Sequence, residues 1–440
     1  MISITLVNLP FWLYAQVYAV ERAQINVDLL LAVAVLAWRR IPGIVLLILL
    51  WLMDGVVSQS ATYFFTTPAA FLDSARFTKE VDIQHLVAPA FWVVCALFCA
   101  SAIATVRLAS ARRAEWTLTV VLALILFVLD TANGSSRYAF GDQRLIAMNI
   151  AGSPAVTLFH QFQAARRQEP PISVKDDQSI ATAASILDWA NTHSDGSVWL
   201  VLVESMGLIN NEELRAAVAS PLEVAKRDGG YSVETLGMPF KGATTFGELR
   251  ALCHLYGSYA NMTQQQAAQC MPARLVAGGW TTFALHGFTG RMFDRKDWWR
   301  AIGFQSTYFK EDADNSQKLC GGAFTGLCDA PLLSRSAYLL RQPKRFVYTL
   351  TLNTHLPLDP HSVGDEMTKV CSRARVSDSV CEISSMHRDV LNEIVTLASQ
   401  VPKPRPLIVV IGDHAPPFLD RRSRDAFHSA TVPAFILRPH

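Results

Sequence analysis

Charge is scarce in this chain. Asp, Glu, Lys and Arg make up only 17% of its 440 residues, and the net charge is +2, a low charged fraction for a water-soluble protein. No basic stripe with interleaved aromatics is present, so no nucleic-acid partner is expected. No CxxC pair occurs among the eight cysteines, which disfavours a zinc cluster. The first apolar segment lacks a basic n-region and a small-residue cleavage site, so it reads as an anchor and not a cleaved signal peptide. Internal repeats and low-complexity tracts are also missing.

Hydrophobic residues are plentiful, at 51%, and unevenly spread. Residues 1–132 hold nearly all the long uncharged runs. Five segments, roughly 2–20, 25–38, 41–58, 84–107 and 115–131, approach the ~20 residues needed to span a bilayer. The second is short and carries Asp28, so it must be tilted or partly shielded. Arg39 and Arg40 follow the second segment, and Arg107, Arg112 and Arg113 lie between the fourth and fifth. Placing both clusters in the cytoplasm puts the N-terminus inside and everything after about residue 133 outside. The expected organisation is a transmembrane helical domain over 1–132, a linker with surface helices over 133–195, and an extracytoplasmic α/β domain over 196–440. This describes a multi-pass membrane protein with its last domain in the extracytoplasmic space.

Cysteine positions agree with that topology. Cys95 and Cys99 fall in the fourth segment and read as packing residues. Cys253, Cys270, Cys320, Cys328, Cys371 and Cys381 all fall outside, where an even number implies disulfides. Fifteen pairings are open; the expectation is nearest neighbours, 253–270, 320–328 and 371–381, each clipping a short loop.

Beyond the polar, proline-bearing stretch RRQEPPISVKDDQS, short apolar runs alternate with helical patterns, as in βαβ units with a mostly parallel sheet. Strands are expected at about 197–203, 280–285, 345–352 and 406–411. Helical segments such as TFGELRALCHLYG and SMHRDVLNEIVTLASQ lie between them. These strands end in Glu204, His286, His355, and the pair Asp413 and His414. Ligands of open α/β sheets bind at the carboxyl ends of the strands, so residues up to 210 positions apart converge on one rim. Carboxylate oxygens and imidazole nitrogens suit a divalent metal, Zn²⁺ or Mn²⁺, with Mg²⁺ also possible. In FKGATTFGELRALC, Gly242 and Ala243 permit close backbone approach and Thr244 or Thr245 opens a helix, whose free amides favour an anion. Such a threonine is either a simple N-cap or a nucleophile activated at the metal.

These residues resemble the alkaline phosphatase superfamily, in its branch of membrane-anchored lipoteichoic acid synthases and phosphoethanolamine transferases, which has a sulfatase-like fold. LVES at 202–205 looks like the first metal-ligand motif, GATTFGEL at 242–249 like the nucleophile motif, and GDH at 412–414 like the paired ligands; LYG at 255–257 also fits. The resemblance implies a bundle of about five transmembrane helices followed by an α/β domain. It implies one divalent metal held by Glu204, Thr244, Asp413 and His414, with Thr244 as nucleophile. HGFTGRMFDR at 286–295 is similar to the headgroup-binding segment of the synthases, which implies that His286 and Arg295 contact phosphoglycerol. Phe293 stands where those synthases have tryptophan. NTHLP at 353–357 matches the segment whose histidine, here His355, lies beside the phosphate. His428, 14 positions after His414, is a candidate for a second metal or the substrate; His254, His361 and His387 are expected at the surface.

The implied reaction moves a phospholipid headgroup, from phosphatidylglycerol or phosphatidylethanolamine, to an envelope glycan through a phosphothreonine. Phosphoglycerol is favoured, because the chain reads DHAPP where phosphoethanolamine transferases have DHGES; the cysteine pairs resemble those transferases instead. The rivals are a membrane-anchored phosphatase or sulfatase-type hydrolase and a non-catalytic subunit of a glycan-export complex. No Cys/Ser-x-Pro-x-Arg segment supports a sulfatase, and intact Glu204, Thr244, Asp413 and His414 argue against a non-catalytic role.

Overall fold

The computed structural model describes residues 2–18, 20, 22–62, 66–82, 89–109, 120–125, 127–128, 151–227, 230–314 and 316–440. The chain divides into two compact units. One comprises Met1–Ala75, Val87–Glu169 and Leu419–Arg421; the other comprises Arg76–Leu86, Pro170–Phe418 and Arg422–His440. The division after Glu169 falls within the polar, proline-bearing stretch, where few apolar side chains exist to tie the chain to either core.

The first unit is helical. Among the described residues one helix is long and apolar enough to cross a membrane, over Arg40–Ser60 of the helix Arg40–Thr62. Its 21 residues rise about 30 Å, the thickness of the hydrocarbon core. Helix Val27–Trp38 has 12 residues and rises only about 18 Å. Asn26 caps it, accepting the Asp28 and Leu29 amides. Asp28 is shielded as its position requires: its carboxylate accepts the Ser153 hydroxyl at 2.6 Å and the Ala155 amide at 2.8 Å. Helices Ile2–Tyr18 and Pro89–Ala109 coincide with the first and fourth apolar segments. Residues 84–88, 110–119, 126 and 129–150 lie outside the described residues, and with them most of the fifth segment, Arg112, Arg113 and the 132/133 boundary. The five-span bundle therefore rests on sequence hydropathy. Val7, Phe11, Leu29, Val33, Leu36, Leu47 and Trp51 form the buried core of this unit.

The second unit is built on a seven-stranded mixed sheet. Its strands are β1 (Val198–Val203), β2 (Tyr231–Pro239), β3 (Thr281–His286), β4 (Ser306–Tyr308), β5 (Arg345–Leu350), β6 (Leu407–Gly412) and β7 (Thr431–Pro439). Their order is β2-β7-β6-β1-β5-β3-β4. The expected strands are β1, β3, β5 and β6. Every residue of β1 and β6 is buried, which explains why they read as unbroken apolar runs instead of alternating ones. Strands β6, β1, β5, β3 and β4 are parallel, whereas β7 pairs antiparallel with both β6 and β2. The sheet is thus mixed: four of its six pairings are parallel, in keeping with the expected mostly parallel sheet, and β7, between β2 and β6, is the strand that runs against the others. Strand β2 carries exposed Ser232, Glu234 and Thr235, as an edge strand open to solvent on one face can, so it gave no apolar run to detect.

Register aligns the ends of the parallel strands. Gly412 pairs with Val203, Leu350 with Leu202, and Leu350 also with His286. The residues that follow β1 and β6, and the last residue of β3, therefore meet at one end of the sheet. Helix Asp378–Gln400 packs against helix Glu212–Arg227 and runs unbroken through the segment expected to be helical.

Three disulfides clip the second unit: Cys253–Cys270, Cys320–Cys328 and Cys371–Cys381. These are the nearest-neighbour pairs. Closing a loop of this size removes chain entropy from the unfolded state equivalent to about 3 kcal/mol for 15 residues. Thiol labelling of the unfolded, unreduced full chain should find only Cys95 and Cys99 reactive; four or more reactive thiols would contradict both the pairing and the external topology.

Candidate active site

Glu204 and Asp413 follow β1 and β6 directly, and both are buried. The chain leaves β1 sharply, with Ser205 in the left-handed region at φ 54. That turn delivers the Ser205 amide to Asp413 Oδ1 at 2.7 Å, and the His414 amide reaches the same oxygen at 2.6 Å. Gly412 is required by close approach: a Cβ there would stand 1.9 Å from the Met206 carbonyl oxygen. The backbone of Glu204 is fixed from three sides. Its amide donates to Thr351 Oγ1 at 2.9 Å, and its carbonyl accepts the Thr354 hydroxyl and the His387 Nε2. His387, expected at the surface, is buried; it lies on the inward face of helix Asp378–Gln400, a position that spacing alone did not assign.

Donor atoms of Glu204, Asp413 and His414 all lie within 4.8 Å of one another. His414 Nδ1 is 2.9 Å from the Ala415 carbonyl, so it carries the proton and Nε2 faces the cluster. Nε2 is 3.4 Å from Glu204 Oε1 and 3.3 Å from Asp413 Oδ2. Asp413 Oδ2 is buried yet makes no hydrogen bond, an arrangement that needs a cation or a proton to be stable. Electrostatics says the same. Burial and the Glu204 charge push the Asp413 carboxyl up to about 8. Burial disfavours charge on Glu204 too, but His355 and the bond to His414 hold it below the usual carboxylate range. His414 is raised to about 9 by both carboxylates, against its own burial. Two carboxylates and an inward-facing imidazole nitrogen fit a divalent cation of the Zn²⁺ or Mn²⁺ kind.

Thr244 joins this group. It is the first residue of helix Thr244–Cys253, and Ala243 in the capping position makes no side-chain cap. The Thr244 hydroxyl donates to Glu204 Oε2 at 3.1 Å and lies 3.5 Å from His414 Nε2. Thr245 makes no such contact among the described residues. The close approach expected at Gly242 and Ala243 occurs instead at Gly247, where a Cβ would stand 3.0 Å from Asp413 Cβ. Gly242 serves the entry turn, at φ 77 against the Phe246 ring.

The remaining candidates divide. His286 is buried, with Nδ1 3.0 Å from the Leu350 carbonyl; burial, with Arg295, pushes it down to about 3. His355 Nδ1 lies 2.7 Å from the Leu356 carbonyl, and desolvation lowers it as well. The His286 ring therefore stays neutral and offers Nε2 as an acceptor. Arg295 is buried and forks onto Glu248, through Nε at 3.0 Å and Nη2 at 2.9 Å. Glu248 lies one turn beyond Thr244 on the same helix and also accepts Trp299 Nε1 at 3.0 Å. Sequence reading missed Glu248, although its i+4 spacing from the threonine was available. Phe293 stands over the Arg295 guanidinium at 5.2 Å. His428 is exposed, and its Nδ1 accepts the Ala430 amide of its own loop.

No family model matches the chain, and no curated protein matches it. Solved structures do. The lipoteichoic acid synthase LtaP from Listeria monocytogenes matches at 15% identity over 58% of this chain and 71% of its own, with a TM-score of 0.41. The Streptococcus pyogenes phosphoglycerol transferase GacH, in complex with sn-glycerol-1-phosphate, matches at 14% identity over 61% and 76%, with a TM-score of 0.39. The lipooligosaccharide phosphoethanolamine transferase EptA from Neisseria meningitidis matches at 12% identity over 90% and 77%, with a TM-score of 0.47. Each of these TM-scores is below 0.5, so the functional reading rests on the site's own residues.

The geometry predicts that the purified protein gains thermal stability when Zn²⁺ or Mn²⁺ is added, by about 2.7 kcal/mol at a hundredfold excess over Kd. Glu204→Gln or Asp413→Asn should weaken metal binding more than about tenfold, read by calorimetry. Unchanged affinity in both variants would exclude the cluster as the metal site.

Proposed function

We propose that the chain is a membrane-anchored phosphotransferase that moves a phospholipid headgroup, phosphoglycerol in the first instance, onto a hydroxyl of an envelope glycan. The observation that carries the reading is the Thr244 hydroxyl, fixed at an uncapped helix start and hydrogen-bonded to Glu204 beside His414. A hydroxyl required only for capping would turn back onto its own helix amides.

Glu204, Asp413, His414 and Thr244 would hold the cation. When bound, it supplies charge neutralisation and lowers the pKa of the threonine hydroxyl. Thr244 Oγ1 attacks the lipid phosphorus while its proton passes toward Glu204 Oε2, the acceptor it already faces. The bond from phosphorus to the diacylglyceryl oxygen breaks, that oxygen takes up the proton released by Thr244, and Thr244 is left as a phosphodiester that carries the headgroup. A glycan hydroxyl then attacks the phosphorus, the bond from phosphorus to Thr244 Oγ1 breaks, and Oγ1 takes up the proton that the glycan hydroxyl loses. Arg295 is pinned by Glu248 through Nε and Nη2, and Nη1 makes no hydrogen bond among the described residues, so it is available to phosphoryl oxygens. Neutral His286 presents an acceptor that suits a headgroup hydroxyl. Anchoring by 1–132 would hold the 196–440 domain on the outer face of the inner membrane, where its lipid donor resides.

Phosphoethanolamine is the second reading, favoured by the three disulfides, which resemble those of the phosphoethanolamine transferases. Incubation with headgroup-labelled phosphatidylglycerol and phosphatidylethanolamine, followed by mass spectrometry of the Thr244 peptide, separates the two. Label from phosphatidylglycerol on Thr244 is expected. Release of free headgroup phosphate to water, without transfer, would instead indicate a hydrolase.

Thr244→Ala should abolish transfer while metal content persists through the other three ligands. Thr245→Ala should lose no more than a cap's worth of stability, about 1 kcal/mol. Near-normal turnover in Thr244→Ala would defeat the covalent mechanism.

A further inference from the structure

We infer that Arg76 is a positioning residue, which clamps the strained turn that presents Arg295. The inference rests on the headgroup-binding role proposed for Arg295. Phe293 and Asp294 are consecutive residues in the left-handed region, at φ 54 and φ 52. Neither is glycine, and a bulky aromatic there is a genuine outlier that the surroundings must enforce. The turn's own backbone bonds are few, from the Asp294 amide to the Arg291 carbonyl and from the Lys296 amide to the Gly290 carbonyl.

A segment more than two hundred positions earlier in the chain supplies the rest. Arg76 forks onto Asp294, Nη1 to Oδ1 at 3.1 Å and Nη2 to Oδ2 at 2.6 Å. The Tyr259 hydroxyl donates to the same Oδ2 at 3.1 Å and receives Arg76 Nη2 at 3.3 Å. Tyr259 in turn stacks on Trp298 of the helix that Arg295 begins. Phe77 is buried and meets the Phe293 ring edge-on at 5.5 Å. Arg76 covers the Phe77 ring at 4.3 Å. Two further contacts seat the segment: Glu80 to Arg291 at 3.3 Å, and the Asp82 amide to the Ala323 carbonyl at 2.9 Å. Arg76 and Asp294 are partly exposed, at 44% and 36%, and an isolated pair so exposed would contribute little. Here the fork and the aromatic contact act together on a turn that its own residues disfavour. Arg295 follows the second strained residue directly, so the clamp sets where its guanidinium begins.

Hydrogen exchange of the full-length protein in detergent tests this. Arg76→Ala should accelerate exchange at Asp294 and Lys296 about tenfold, with the β1 amides unchanged. In an Asp294→Gly background, where the left-handed turn is unstrained and the fork has no partner, Arg76→Ala should add nothing. Wild-type exchange at 290–297 in Arg76→Ala would overturn the clamp. If that variant loosens the whole domain, Arg76→Lys decides, since lysine keeps the charge but not the fork. Acceleration confined to the turn then supports the clamp, and its absence overturns it. With headgroup-labelled lipid, Arg76→Ala should raise KM about tenfold and leave kcat within about twofold; unchanged KM alongside faster exchange would detach the clamp from donor binding. If wild-type protein labels no threonine, the functional reading fails while the exchange result still judges the clamp.

Discussion

Two buried carboxylates, Glu204 and Asp413, face one imidazole nitrogen in a volume too small for all three to keep their lone pairs unneutralised. Like charges at this separation and burial cannot both persist without a cation or a shared proton. A fold adopts such a cluster only when the rest of the chain holds it in place. The sheet register does so first, by ending β1 and β6 level with each other. Backbone amides do so next: Ser205 and His414 both donate to Asp413 Oδ1, which leaves Oδ2 directed at the cluster. The threonine hydroxyl completes the group from the start of a helix whose first turn has no side-chain cap.

A second buried charge pair supports the first. Arg295 and Glu248 are both almost fully buried. Removing two such charges from water costs several kcal/mol each, and their attraction offsets this only with good geometry and further hydrogen bonds. The fork, the Trp299 indole and the Tyr348 hydroxyl at 3.4 Å provide those bonds. Hydrophobic residues of similar volume would serve stability at least as well, so the pair makes physical sense as a means of aiming a guanidinium. Because Glu248 shares a helix with Thr244, the proposed nucleophile and the proposed phosphate-binding cation are set by one rigid element.

The two units show opposite solutions to burying polar groups. In the second, charge is concentrated at the end of a sheet whose strands β1 and β6 are entirely apolar. In the first, isolated polar residues are matched one by one: Asp28 with Ser153 and the Ala155 amide, and Asp54 with Arg22 at 2.7 Å and Asn26 at 2.9 Å. In an apolar helical unit each unsatisfied group is expensive, and such internal pairing is what allows them to be present.

The sequence by itself determined β1 and β6, because a strand buried on both faces reads as an unbroken apolar run, and it marked β3 and β5 by shorter aliphatic and aromatic runs. It also determined the polar residues that end them, because Glu204, Asp413 and His414 interrupt those runs abruptly. Cysteine spacing pointed to the three local disulfides for a similar reason: short loops close most readily between neighbours. The edge strand β2 was not legible, since its exposed Ser232, Glu234 and Thr235 dilute the apolar signal. Glu248, His387 and Arg76 escaped as well, for each acts on a residue at least 47 positions away. The resemblance of GATTFGEL already favoured Thr244 over Thr245, and the tertiary structure adds the physical reason: adjacent helical residues point about 100° apart, and it is the Thr244 hydroxyl that reaches Glu204. The left-handed turns at Ser205 and Phe293 were decided by the tertiary structure, since no local preference of serine or phenylalanine favours them and long-range contacts alone hold them there.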